Sequence, residues 1–277
     1  PGRSSKTMLK RYSSESLGKR PLRVLVYGET GVGKTTLGCT FPKPVFLMTG
    51  REQDETLRDY KVDVLELTSD EHMGEAISLV RKNEAGWKSV IIDSITYHTD
   101  AIMQKISGSS GKVGLANKNP MQLKDWGILE SYLTQSLLPA LHSLPLHVVW
   151  IASVKQTMRR ASDGTSHLAK LEPAIAGGAR DRIPNKCDVV ALMTRVKTFV
   201  DSRAVLSPRM FLKQPAGLDY EIVARSCDGL PGTKRPDDIE PTFTALCERF
   251  DWVDTSGVNG ATTKITVKGT VTEATPV

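Results

Sequence analysis

Residues 28–35 read Gly-Glu-Thr-Gly-Val-Gly-Lys-Thr, directly after the apolar run Leu22 to Tyr27. Glycines at 28, 31 and 33 let the backbone turn so tightly that successive N–H groups point inward, the arrangement that cradles a polyphosphate. The spacing G-x-x-x-x-G-K-[ST] assigns Gly28, Glu29, Thr30, Gly31, Val32, Gly33, Lys34, Thr35 and Thr36 to that cradle. Lys34 can reach the β- and γ-phosphates, and the Thr35 hydroxyl can ligate Mg²⁺. A strand before the loop and a helix after it, with its N-terminus facing the anion, complete the expected unit.

Short Val/Ile/Leu-rich runs that do not alternate recur along the chain, at 22–27, 44–48, 62–67, 89–93, 146–152, 188–194, 209–213 and 220–225. Such runs are strands covered on both faces. Helical patterns lie between them. One opens with a Thr68-x-x-Glu71 capping box and runs to about Lys82. Another spans about Asp125 to Leu141, with Trp126, Leu129, Leu133 and Leu137 at helical spacing and Pro139 weakening its end. A last helix is expected over 237–250. The alternation predicts an α/β fold, a doubly wound and mainly parallel sheet with helices on both faces, closed by an edge hairpin from the last two runs. Residues 1–20 read as a disordered basic arm, 21–250 as the core and 251–277 as a flexible tail.

A phosphate loop needs a carboxylate that holds Mg²⁺ through water. Lys88-Ser-Val-Ile-Ile-Asp93-Ser94 supplies it: an apolar strand delivers Asp93 to its carboxyl end beside the loop, with Ser94 in the same shell. Glu52, just after the second strand, is the expected general base, with Asp54 and Glu55 as competitors. Gln156, read at the end of the fifth strand, is placed to sense the γ-phosphate.

The net charge of +6 is concentrated in residues 1–23, where seven cations face one acid. The remainder is neutral overall. This arm is open to three readings: a phosphate-contacting segment, a solvated disordered tail and a targeting presequence. No apolar run approaches the roughly 18 residues that would span a bilayer, so no membrane partner is expected. Cys39, Cys187, Cys227 and Cys247 form no C-x-x-C pair, which argues for reduced thiols and a cytoplasmic location rather than a zinc site or disulfide framework. Two glycine- and cation-bearing stretches, 107–121 and 157–186, read as long functional loops.

With these pieces in place the chain resembles the RecA-like core ATPases, most closely the phage-encoded proteins of single-strand annealing and recombination. The resemblance is carried by Pro21 to Gly28 running into Gly31 to Leu37 and then Phe41-Pro42, and by Val90-Ile91-Ile92-Asp93-Ser94. It is carried further by Asp125-Trp126-Gly127 leading to His147 to Ala152, and by Ile183 to Asp188 with Ala224-Arg225 and Gly229-Leu230-Pro231. It covers roughly residues 21–250. It implies ATP and Mg²⁺ as cofactors, with Lys34, Asp93, Glu52 and Gln156 in the catalytic set. It implies single-stranded DNA bound by Lys112, Lys118, Arg159, Arg160, Arg180 and Arg182 in the two loops, with Gly177-Gly178 near the end of the second. It also implies a homo-oligomer, a ring or short filament, in which a neighbour's cation such as Arg225 completes the phosphate shell. A single-strand-binding protein is a further implied partner, and a bacterial host cytoplasm the implied location. The run Met48-Thr49-Gly50-Arg51-Glu52 departs from the Glu-Gly-Gly-like run the family often carries, which implies slow hydrolysis. Two other functions stay open on the residues: an ATPase acting on protein partners, and a P-loop kinase using Arg159-Arg160 in a lid.

Overall fold

The computed structural model describes residues 18–49, 54–106, 122–160, 164, 166–200, 203–212 and 238–256. Six strands run parallel: β1 (Arg23–Gly28), β2 (Pro44–Met48), β3 (Asp63–Glu66), β4 (Ser89–Asp93), β5 (His147–Arg160) and β7 (Val189–Val200). Their order is β3-β2-β4-β5-β1-β7, continued antiparallel by β8 (Arg203–Leu212) and β9 (Asp238–Ile239). The strand β6 (Ser166–Pro173) pairs only with the far half of β5. The expected mainly parallel α/β sheet is therefore present.

Alternation along each strand divides the core in two. Leu25, Tyr27, Val90, Ile92, Val148 and Trp150 face one layer, formed by α3 (Asp70–Lys82), α4 (Ile95–Ile106) and the segment 123–142. Val24, Val26, Ile91, Val149 and Ile151 face the other, formed by α1 (Lys34–Cys39), α2 (Asp54–Arg58) and α8 (Phe243–Arg249). Strands hidden on both sides need no polar face, which is why β1, β4 and the first half of β5 are nearly all apolar. Each fully buried Leu or Ile contributes about 1.5–3 kcal/mol.

The long helix is not uniform. It runs as α5 (Leu123–Ser131), a π-helical segment (Tyr132–Leu137) and α6 (Leu138–His142), ahead of α7 (Ala179–Arg182). Pro139 has no N–H and its ring clashes with the carbonyl four residues back; the widened turn immediately before it absorbs both problems. Leu129, Leu133 and Leu137 are buried as the spacing predicts, but Trp126 is 36% exposed and leans toward Gly177. The capping box at Thr68 does not form. Ser69 is the N-cap, without a side-chain cap bond, and the Thr68 N–H donates to His72 Nδ1 instead. The last helix is shorter than expected because Pro241 and the Thr242 cap, which accepts from the Ala245 amide, start it late. The helices α2 and α4 were not anticipated.

One correction concerns strand length. The stretch 157–186 is not a long loop: β5 continues to Arg160 and folds back through β6, then α7 and a 3₁₀ turn (Pro184–Lys186) follow. Among the described residues β7 and β8 form an edge hairpin; the run 220–225, expected to pair with 209–213, lies outside the described residues, as do 107–121. Beyond the sheet core β5 carries Lys155, Gln156 and Thr157, all exposed, and so lacks the all-apolar run by which strands were found.

The two ends of the described body meet. Arg20 donates to both oxygens of Asp188, at 2.6 and 3.2 Å, and lies 4.4 Å over the Trp252 ring. The Arg20 amide donates to the Trp252 carbonyl, and the Asp254 amide to that of Arg20. Arg20 and residues 252–254, read as arm and tail, thus pack on the core.

His147 is 3% exposed, and its Nδ1 accepts the Leu22 amide at 3.0 Å. Burial lowers its pKa from 6.5 to about 4, against a smaller opposing pull from Asp254. Between these values the unfolded chain binds the extra proton, so stability is complete above pH 6.5 and falls as pH drops toward 4. We expect a loss of about 3 kcal/mol from this group, read by denaturant unfolding across pH. His147→Asn keeps an acceptor for Leu22 and should make the profile shallower in that window, where His142, also lowered by burial to about 4, supplies the remaining slope; an unchanged slope would assign the acid sensitivity elsewhere.

Candidate functional site

The loop that follows β1 is set by close packing rather than by its exposed residues. A side chain at Gly28 would collide with the Met193 carbonyl oxygen on the neighbouring β7. Gly31 and Gly33 have φ of 78° and 96°, in the left-handed region that other residues resist. Val32 is buried against the α1 layer, whereas Glu29, Thr30 and Gly31 are exposed. Gly38, on the buried side of α1, lets that helix sit against Ile91 and Phe46, where a Cβ would come within 3.0 Å of both. The helix is only six residues long. The Thr40 hydroxyl closes it by donating to the Leu37 carbonyl and accepts the Phe243 amide, tying α1 to α8.

Lys34 reaches back across the loop, its ammonium donating to the Gly28 and Glu29 carbonyls at 2.9 and 2.7 Å. Burial lowers its pKa, opposed by the nearby charges of Asp93 and Glu29. The Thr35 hydroxyl donates to Asp93 Oδ2 at 2.7 Å. Asp93 ends β4 and is 1% exposed, in register with Met48 on one side and Ile151 on the other. Thr36 shares a hydrogen bond with the Tyr60 hydroxyl. Burial and Asp93 push the Cys39 thiol up to about 12, so this cysteine beside the site is unreactive at neutral pH.

The other expected residues are dispersed. The Ser94 hydroxyl accepts the Tyr97 amide at the start of α4. Glu52 lies outside the described residues, as do the side chains of Asp54 and Glu55, and Lys112, Lys118 and Arg225. Gln156 is not at a strand end. Ser153 is the β5 residue level with Gly28, and Gln156 stands three further on, exposed and paired with Leu171 of β6. Arg159 and Arg160 lie at the far end of that hairpin, opposite His167 and Ser166. Arg182 is bound to Glu130 at 2.9 Å, while Arg180 faces Glu172 at 3.9 Å and Asp181 at 3.7 Å. Those two cations are partly neutralised by acids of this chain. A Cβ at Gly178 would meet only the Glu130 carboxylate, at 2.6 Å, the end of a flexible side chain that can shift aside.

One residue at the loop was missed. Arg195, on β7, donates to the Gly31 carbonyl at 2.7 Å. It stands one residue past the 188–194 run, and no local signal tied it to the loop.

A family model described as AAA domain matches residues 20–210. The chain belongs to that family. With this membership, the phosphate loop and the sheet order, the AAA-domain chain is a P-loop ATPase of RecA-like type. No curated protein matches it. Among solved structures it is similar to a KaiC-like protein from the hyperthermophilic archaeon Pyrococcus horikoshii OT3, at 13% identity and TM-score 0.41, covering 70% of this chain and 78% of that one. It is also similar to the assembled ATPase EscN of the enteropathogenic E. coli type III secretion system, at 14% identity and TM-score 0.38, covering 64% and 43%. A third is the flagellar accessory protein FlaH from Methanocaldococcus jannaschii, at 8% identity and TM-score 0.32, covering 71% and 78%. The chain thus spans less than half of the EscN chain.

Lys34→Ala should weaken nucleotide binding by about a hundredfold or more while the nucleotide-free melting temperature changes little, since the ammonium bonds only to its own loop. Titration with a fluorescent nucleotide, alongside a thermal melt, checks both halves of this expectation.

Proposed function

We propose that the chain is a Mg²⁺-dependent ATPase that binds single-stranded DNA and promotes annealing or recombination, working as a homo-oligomer. The observation that carries the ATPase half is the Thr35–Asp93 bond. It brings a hydroxyl and a buried carboxylate together beside the phosphate loop, both hard oxygen donors suited to Mg²⁺. Among the described residues no cluster of three or more His, Cys, Asp or Glu could hold a metal by itself. That fits an ion completed by substrate phosphates and water rather than by a protein cage. When bound there, Mg²⁺ would neutralise charge on the phosphate chain. Thr35 would supply a direct ligand and Asp93 would act through water, while Lys34 leaves its loop carbonyls for phosphate oxygens. Glu52 remains the proposed base.

The DNA half is supported by the path of β5. It lies between β1 and β4, with its Ser153 level with Gly28, and continues without a break to Arg160. One rigid strand therefore joins the nucleotide site to a cation-bearing hairpin, and Gln156 lies on that strand. Because Arg180 and Arg182 bond to acids, we assign more of the proposed DNA contact to Arg159 and Arg160. Exposed Leu123, Ile128 and Met158, at 90%, 55% and 55%, favour the second reading, an ATPase whose partner is a protein. A single-strand-binding protein as a further partner belongs to the first reading.

Asp93→Asn should abolish Mg²⁺-stimulated turnover and leave Mg²⁺-free nucleotide affinity within about threefold; equal loss of both would make Asp93 structural. Arg159→Gln with Arg160→Gln should cut affinity for a labelled single-stranded oligonucleotide and make its salt dependence shallower by about two counterions. The same oligonucleotide affinity with and without these changes, at every salt concentration, would leave the protein-partner reading standing.

A further inference from the structure

We propose that Thr96 is a positioning residue for the metal-binding carboxylate, its hydroxyl fixing Asp93 against the strand that carries the phosphate loop. The inference rests on the ATPase reading above and adds a residue to its Mg²⁺ site.

The need arises where β4 stops. That strand ends at Asp93, opposite Ile151, while β5 runs on. Ser153, two residues further along β5, lies beyond the last pair of that ladder and is half-buried. Backbone groups in such a place need other partners. The Ser153 carbonyl accepts the amide of Ala174, the residue that follows β6, at 2.8 Å. The Ser153 amide donates to Thr96 Oγ1 at 3.0 Å. The Thr96 hydroxyl in turn donates to the Ala174 carbonyl at 2.8 Å. A hydroxyl carries one donor and two acceptor sites, so one side chain completes a junction of α4, β5 and the end of β6.

Thr96 lies in the first turn of α4, three residues after Asp93. Its two bonds tie the entry of that helix to elements that are themselves bound to β1. Ser153 is level with Gly28, where the phosphate loop begins. On β6 the Leu171 carbonyl accepts the hydroxyl of Tyr27, directly before Gly28, at 3.4 Å. On the other flank the Asp93 carbonyl accepts the Thr49 amide at 3.3 Å. Asp93 is thus held beside β2 through its own backbone, and against β5 and β6 through Thr96. The Thr35–Asp93 bond joins the helix after the loop to the end of β4, and Thr96 fixes the same separation by a second route that uses neither residue. A carboxylate that acts on a metal through water depends on such outer support, because small drifts in its position weaken the ion's shell.

The test uses the full chain and compares wild type with Thr96→Val, which keeps the branched shape and removes the hydroxyl. Mn²⁺ is the probe: its binding in the presence of a non-hydrolysable ATP analogue is read by electron paramagnetic resonance, and the analogue's metal-free affinity by fluorescence. Thr96→Val should bind Mn²⁺ about tenfold more weakly, with metal-free analogue affinity within about twofold of wild type. The Mg²⁺ concentration for half-maximal turnover should rise by a similar factor. Thr96→Ser restores the hydroxyl and should return Mn²⁺ affinity to within about twofold of wild type. Thr99→Val controls for general loosening, since the buried Thr99 hydroxyl bonds to the Thr96 carbonyl inside α4. It should lower the melting temperature and leave Mn²⁺ affinity unchanged. If Thr96→Val does not fold, Thr96→Ala, which leaves room for a water between Ser153 and Ala174, carries the same expectation. Unchanged Mn²⁺ affinity in the folded Thr96 variant overturns the proposal. So does a Ser variant as weak as Val, or an equal loss in Thr99→Val, either of which would make the effect one of packing. Failure of the wild-type chain to bind the analogue, with or without Mn²⁺, would instead remove the ATPase reading on which the inference stands.

Discussion

The parallel insertion of β5 between β1 and β4 is the constraint on which the nucleotide site depends. It sets Gly28 level with Ser153 and Asp93 level with Ile151, so the loop and the carboxylate end at the same edge of the sheet. Only with that spacing does the Thr35 hydroxyl meet Asp93 at 2.7 Å. The insertion holds because β5 is apolar on both faces through Ala152, with Trp150 wholly buried and its indole N–H satisfied by His142 Nε2. A strand less apolar there would leave both faces of the sheet poorly covered and the two halves of the site without a common frame.

The same strand carries two kinds of information in sequence. Its first half, from His147 to Ala152, buries both faces; its second half pairs with β6 alone and exposes residues 155–158. The ladder changes partners at this point, from β1 and β4 to β6, and carries a register irregularity between Thr157 and Met158. The β7–β8 hairpin repeats the arrangement on the other side of β1, with Arg195 near its root.

How much of this could be read from residues alone varies with how local the cause is. The phosphate loop and the ends of β2 and β4 were legible because glycine spacing, Pro44 and apolar runs act over a few residues. The position of Asp93 at the end of β4 was legible because a strand end is a short-range feature. The reach of Arg195 was not, since it depends on which strand lies beside β1, a pairing between residues more than 160 positions apart. The neutralisation of Arg182 by Glu130 was hidden for the same reason. The π-helical segment depends on how one turn relaxes ahead of Pro139, and the failed capping box on a competing histidine four residues on. Local signals named the chemistry, while long-range packing decided which charges remain available to it.

The clamp of Arg20 on Asp188 and Trp252 has a geometric consequence for the whole molecule. Asp188 also accepts the Arg23 amide, so the clamp sits at the entry end of β1, while the phosphate loop leaves its exit end. Six residues of strand separate them, about 20 Å of rigid sheet. Arg20 and residues 252–254 are therefore held side by side at the edge of the sheet opposite the phosphate loop. Pulling on that clamp would load β1 along its own axis, so the entry end of the strand is anchored independently of whatever the exit end binds.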